Sequence, residues 1–179
     1  MSASLFLDAN ELVVRYARYH RDRRNICTHM VGVPMIVFGV GVLLAKAPLG
    51  SSAPPLTLAW AAWALATLWY LSRGHLALGA AVSVFNAALF ALAHVAAAGG
   101  SWLAWGLWFF GVGWVIQFLG HYYEGRKPAF ADDLVGLLVG PMFVVAELLF
   151  AFGLADSLSS EVERRAGPTR LRDLADPVG

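Results

Sequence analysis

Three stretches of this chain contain no Asp, Glu, Lys or Arg: residues 25–45, 47–72 and 74–123. An uncharged apolar run of about 18 residues or more is long enough to cross a bilayer as a helix. Only Lys46 and Arg73 separate the three runs, so most of the chain is committed to lipid before any motif is considered. Composition agrees, since charged residues make up 14% of the chain against roughly 25% in soluble domains. The fold class that follows is an all-α polytopic membrane bundle.

The charges that exist lie at the edges of these runs. Asp8, Glu11, Arg15, Arg18 and Asp22 recur at three- and four-residue steps, with Leu5, Leu12, Val13, Tyr16, Tyr19 and His20 on the other side. This pattern predicts an amphipathic helix lying along the membrane surface. The run of arginines from Arg15 to Arg24 places that end on the cytoplasmic side by the positive-inside rule. The membrane is then the bacterial inner membrane, or the endoplasmic reticulum in a eukaryote. No short apolar core with a cleavage site precedes it, so no removable signal peptide is expected. A net charge of +1 and the lack of a basic groove leave nothing for nucleic acid to bind, and the single cysteine, Cys27, leaves no internal disulfide to form.

Four spanning helices are expected: from Asn25 or Thr28 to Ala45, Leu56–Leu71, Leu76–Ala98 and Trp102–Tyr122. His20 and His29 are half a turn out of register on one continuous helix. They meet only if the chain bends between them, with Asn25 and Thr28 as the capping residues that would allow it. A fifth apolar segment, Leu134–Ala155, is interrupted by Gly140-Pro141. If it crossed, Arg164, Arg165, Arg170 and Arg172 would lie outside. If it is re-entrant or tilted, every Lys and Arg except Lys46 stays inside. The expected organisation is one membrane domain over 1–155 and a polar tail over 156–179.

This topology brings His20, His29, His75 and His121 to one face and leaves His94 toward the other. Imidazole is the commonest metal ligand, and open His and carboxylate sites suit non-haem iron. Taken singly, each histidine is ordinary as an interfacial hydrogen-bonding residue; convergence at one face is what raises a metal centre. Trp114, Gln117, His121 and Glu124 follow steps of three, four and three on one helix face. That face reads either as an interfacial belt or as a ligand, His121, oriented by Gln117 and Glu124. Arg126 and Lys127 either hold an anionic headgroup or carboxylate, or simply mark the inner side.

Five motifs occur in order: YARYH at 16–20, N-x3-H-x2-GVP from Asn25 to Pro34, W-x2-QF-x-GH from Trp114 to His121, EGRKPAFADDL at 124–134, and GP-x5-E from Gly140 to Glu147. Together they resemble the 2-hydroxy fatty acid dioxygenase family, the fungal fatty-acid α-oxidation enzyme and its bacterial relatives. The middle of the chain shares only its apolar character. The resemblance implies an Fe(II)-dependent membrane enzyme that uses dioxygen to shorten a 2-hydroxy fatty acid by one carbon. It carries His20, His29 and His121 over as iron ligands, with His94 and Glu147 as further candidates; His75, local to this chain's own turn, is a candidate outside the resemblance. The sequence ALAHVAAAGG around His94 lacks the polar flanks expected of the family's third-helix histidine, and Asp132 and Glu147 match the family pattern either as functional or as structural residues. Gln117, Glu124, Arg126 and Lys127 are the candidate catalytic residues. The competing readings are a non-catalytic membrane scaffold, a small transporter, and a haem b protein using His29 or His121.

Overall fold

The computed structural model describes residues 4–51, 56–129 and 133–175. After a 3-10 turn at Ser4–Phe6 come seven helices: α1 (Ala9–Ala17), α2 (Arg23–Ala45), α3 (Leu58–Leu71), α4 (Leu76–Ala97), α5 (Trp102–Glu124), α6 (Gly136–Ala151) and α7 (Asp156–Ala166). No strand is present among the described residues, and the all-helical expectation holds.

Helices α2, α4 and α5 have 23, 22 and 23 residues and are apolar enough to cross a membrane. At 1.5 Å per residue they reach about 33–35 Å, beyond the roughly 30 Å hydrocarbon core. This is a membrane protein. The expected second spanning helix is shorter: α3 has 14 residues, about 21 Å. Three helices are thus long enough to span by themselves, and a fourth span is reached only if the bent pair α6–α7, Gly136–Ala151 with Asp156–Ala166, counts as one. The chain still traverses the bundle through α3, because Leu58 N–H donates to Ala47 O at one end and Ala9 N–H donates to Arg73 O, both at 2.8 Å, at the other.

The closest helix pair is α2 and α5, packed along glycines. A Cβ on Gly39 would fall 2.6 Å from the backbone nitrogen of Phe110, and one on Gly113 would fall 2.9 Å from the carbonyl of Gly32. Small residues allow this backbone approach where lipid supplies no hydrophobic driving force. The seam matters because α2 carries His29 and α5 carries His121.

The bend between His20 and His29 is real, but its cap is different from the one expected. α1 ends at Ala17, and α2 begins at Arg23 under Asp22, whose carboxylate accepts from Arg24 N–H at 2.8 Å. Asn25 and Thr28 already lie inside α2. Asp22 has the extended backbone (φ −74°, ψ 126°) that an N-cap requires.

The fifth apolar segment is also broken elsewhere than expected. α6 runs through Pro141, and the chain turns only after Ala151, at Gly153 (φ +66°), with α7 bent by 114° from α6. A proline inside a helix removes one ladder hydrogen bond, here without ending it. Along its length α6 follows α1: Gly140 faces the Tyr16 hydroxyl, Phe143 packs on Tyr16 and His20, and Glu147 reaches Arg21. It thus covers the end of the bundle at which α1 lies. α7 buries Leu158 and Val162 and pairs Arg165 with Glu11 of α1 at 2.6 Å.

Candidate metal centre

His20, His29 and His121 meet in the buried space beneath α1 and α6. One ligand nitrogen from each lies within 4.8 Å of the others, and all three side chains are buried. His20 comes from the short link between α1 and α2, His29 from the second turn of α2, and His121 from the last turn of α5.

The local hydrogen bonds fix two of the three tautomers. His20 Nδ1–H donates to the Tyr16 carbonyl at 2.7 Å, and His29 Nδ1–H donates to the Asn25 carbonyl at 2.9 Å. A carbonyl only accepts, so each Nδ1 carries the proton and each neutral Nε2 presents a lone pair. Those two Nε2 atoms are 3.0 Å apart. Two lone pairs at that distance repel unless a cation or a shared proton lies between them. Metal–imidazole bonds are about 2.0–2.1 Å, so the spacing is within reach of one shared ion. His121 lies 5.0 Å, ring to ring, from both partners, and its Nδ1 is buried with no hydrogen-bond partner among the described residues. The donor set fits a divalent metal. Burial, then the neighbouring His29 and His121, hold His20 well below the usual histidine range, which keeps its imidazole neutral and able to ligate.

Glu124 supports this set from an unexpected direction. It was expected to orient His121. Instead its carboxylate accepts from the backbone N–H of Arg21 (2.9 Å) and Asp22 (2.8 Å) and from Asn25 Nδ2 (3.1 Å). Glu124 therefore fixes the link bearing His20 and the residue whose carbonyl orients His29. Gln117 is buried, and its Nε2 has no acceptor among the described residues. It lines a small cavity with Tyr16, His29, Trp114 and His121, walled on the apolar side by Val33, Ile36, Val37, Leu137 and Pro141.

Other candidates lie apart from the three histidines. His94 sits at the far end of the bundle, donating from Nδ1 to Phe90 O (2.7 Å), paired through Nε2 with Thr57 Oγ1 (2.8 Å) and stacked on Trp60. His75 caps α4 by accepting from Leu78 N–H. Glu147 is engaged by Arg21 Nη2 at 3.4 Å. Arg126 is exposed and donates to the Arg18 carbonyl; Lys127 beside it is also exposed. Asp132 lies outside the described residues. Three contributors escaped the sequence reading. Tyr16 stacks on His20 at 4.2 Å and 7°, a contact that the i, i+4 spacing could have suggested. Arg21 and Asp22 also bind partners distant in sequence, Glu147 and the Arg172 amide, and no local pattern signals those contacts.

A membrane helical bundle with a buried cluster of three histidines that could hold a metal ion at one end is the class of protein that this fold and site define. The chain belongs to the family described as Mpo1-like, 2-hydroxy-palmitic acid dioxygenase Mpo1-like, which it matches over residues 6–152. It is 30% identical over 160 residues to 2-hydroxy-palmitic acid dioxygenase MPO1 of Saccharomyces cerevisiae, a match covering 88% of each chain. No solved structure matches it.

Proposed function

We propose that this protein is an Fe(II)-dependent dioxygenase that shortens 2-hydroxy fatty acids by one carbon within the membrane. The observation that carries the reading is the pair of unprotonated Nε2 atoms of His20 and His29, 3.0 Å apart and joined by His121, in a chain 30% identical to a named 2-hydroxy-palmitic acid dioxygenase. His20, His29 and His121 would hold the metal. When bound, ferrous iron supplies the electron-transfer chemistry by which dioxygen is activated, which no side chain here provides.

The remaining residues bind and orient. Gln117 Nε2 offers a buried N–H to the hydroxyl or carboxylate of the acid, which relieves the cost of its unmatched donor. The first methylenes of the acyl chain rest against Val33, Ile36, Val37, Leu137 and Pro141, and the rest of the chain stays in lipid. Arg126 and Lys127, exposed beyond the end of α5, form a cationic rim that draws the carboxylate toward the site. Helix α6 lies across this end and supplies Leu137, Gly140 and Pro141 to the cavity wall. Glu124 acts by positioning. The partners are thus a 2-hydroxy fatty acid, dioxygen and membrane lipid. The membrane is the bacterial inner membrane, or the endoplasmic reticulum in a eukaryote, with the N-terminus cytoplasmic.

Haem is disfavoured by the same geometry. His29 Nε2 lies 3.0 Å from His20 Nε2, and the His29 and His121 rings are 5.0 Å apart, which leaves no room for a porphyrin face against either candidate axial ligand. A scaffold or transporter has no need for two facing lone pairs. The decisive experiment is metal analysis of anaerobically purified protein, together with oxygen uptake on adding 2-hydroxypalmitate. Bound iron with substrate-dependent uptake is expected; absence of both would sink the reading.

A further inference from the structure

The link that carries His20 is gripped from two sides. From inside, Glu124 binds its amides. From outside, residues 167–172 run alongside it. Arg170 N–H donates to Arg21 O (2.8 Å) and Arg23 N–H donates to Arg170 O (2.9 Å), making a parallel bridge between Asp22 and Arg170. The Asp22 carboxylate accepts from Arg172 N–H (2.8 Å), Arg24 Nη2 donates to Arg172 O (2.7 Å), and Arg21 Nη1 donates to Gly167 O (3.1 Å).

The same segment reaches the other ligand-bearing element. Arg172 Nε donates to Tyr123 O (3.2 Å), two residues beyond His121. The guanidinium lies over Gly125, where φ is +70° and a Cβ would fall 2.8 Å from it. Residues 167–172 therefore join the start of α2 to the end of α5, with His20 between them. They also lie beyond residue 152, where the family match ends.

We propose that residues 167–172 are a positioning strap for the metal site, holding His20 at the distance from His29 and His121 that ligation needs. The proposal rests on the metal reading above. It follows from where the link leaves helical bonding: the N–H groups of Arg18, Tyr19 and His20 still bond back into α1, but those of Arg21 and Asp22 go to Glu124 and that of Arg23 goes to Arg170. Groups that orient a ligand from behind are worth about 10–100-fold in metal affinity.

The test is Co(II) titration of the full-length, metal-free protein in detergent, followed by its visible absorption spectrum. The wild type is compared with Arg170→Pro, which removes the N–H given to Arg21, with Asp22→Asn, which conserves volume, and with His20→Ala. The strap predicts that Arg170→Pro and Asp22→Asn each weaken Co(II) binding about 10-fold and alter the ligand-field bands, with faster amide exchange at residues 20–23. Wild-type affinity and spectrum in both variants, with binding lost in His20→Ala, would overturn the strap alone. Unchanged Co(II) binding by His20→Ala would overturn the metal reading and the strap with it. If Arg170→Pro does not fold, Asp22→Asn decides.

Discussion

His29 and His94 lie toward opposite ends of the bundle and make the same local contact. Each sits on a spanning helix and gives its Nδ1–H to the carbonyl four residues before it, Asn25 for His29 and Phe90 for His94. What differs is the partner of Nε2. His94 meets the Thr57 hydroxyl at 2.8 Å, which can donate to it, and is complete. His29 meets a second imidazole at 3.0 Å whose Nε2 also carries a lone pair. A histidine's own neighbourhood in sequence therefore does not separate a structural residue from a candidate ligand. The residue delivered opposite it by the fold does.

The largest effect that would break this contrast is on metal content. His20→Ala, His29→Ala and His121→Ala should each lower affinity beyond the roughly 10–100-fold typical of losing a supporting group, and abolish substrate-dependent oxygen uptake. His94→Ala should keep both. Elemental analysis of the four purified variants checks this, and equal metal loss in His94→Ala would dissolve the distinction. Next comes the seam that sets α2 against α5. Gly113→Leu would drive a side chain into Ile36 and the Gly32 carbonyl and should cost at least about 1–3 kcal/mol, seen as a lower melting temperature together with poorer metal retention.

Smaller effects sharpen the comparison. Glu124→Gln keeps one acceptor oxygen but loses the charge that three donors share. It should weaken metal binding about 10-fold in a protein that still extracts and migrates normally. At the other end, Thr57→Val strips His94 of its partner and should cost only about 1 kcal/mol, with oxygen uptake unchanged.

The smallest is a pH effect at Asp22. Burial raises its pKa, but hydrogen bonds from Arg24 and the Arg172 amide outweigh burial and bring the pKa from 3.8 to about 2. A carboxyl lowered on folding adds stability above its unfolded pKa and loses it as pH falls toward the folded value. Melting temperature should therefore drop between about pH 4 and pH 2, and Asp22→Asn should flatten that limb. An unaltered acid limb in the variant would remove Asp22 from the account.

Much of this was legible in the sequence because it depended on local or compositional physics. The charge-free runs gave α2, α4 and α5, since lipid demands long apolar helices. The bend before His29 followed from helical register, and motif resemblance with topology brought His20, His29 and His121 together. The failures depend on information that the local pattern does not carry. Asp22 is a good capping residue, but Asn25 and Thr28 are as good by type, and only the backbone angles separate them. The 14-residue length of α3 and the unbroken passage of α6 through Pro141 depend on packing against neighbours. Glu124 stands on the same helix face as His121, so periodicity pointed it at the wrong histidine. Its real partners, Arg21, Asp22 and Asn25, are about a hundred positions away.

The bridge between Asp22 and Arg170 has a consequence in time. The link that carries His20 is made early on the ribosome, yet the amide that fastens Asp22 belongs to Arg172, 150 residues later. Contacts of such long sequence separation close late in folding. The three long helices can therefore be inserted and packed along their glycines while His20 still lacks its final restraint. The last restraint on His20 must await synthesis of residues 167–172, after the three long helices are already made.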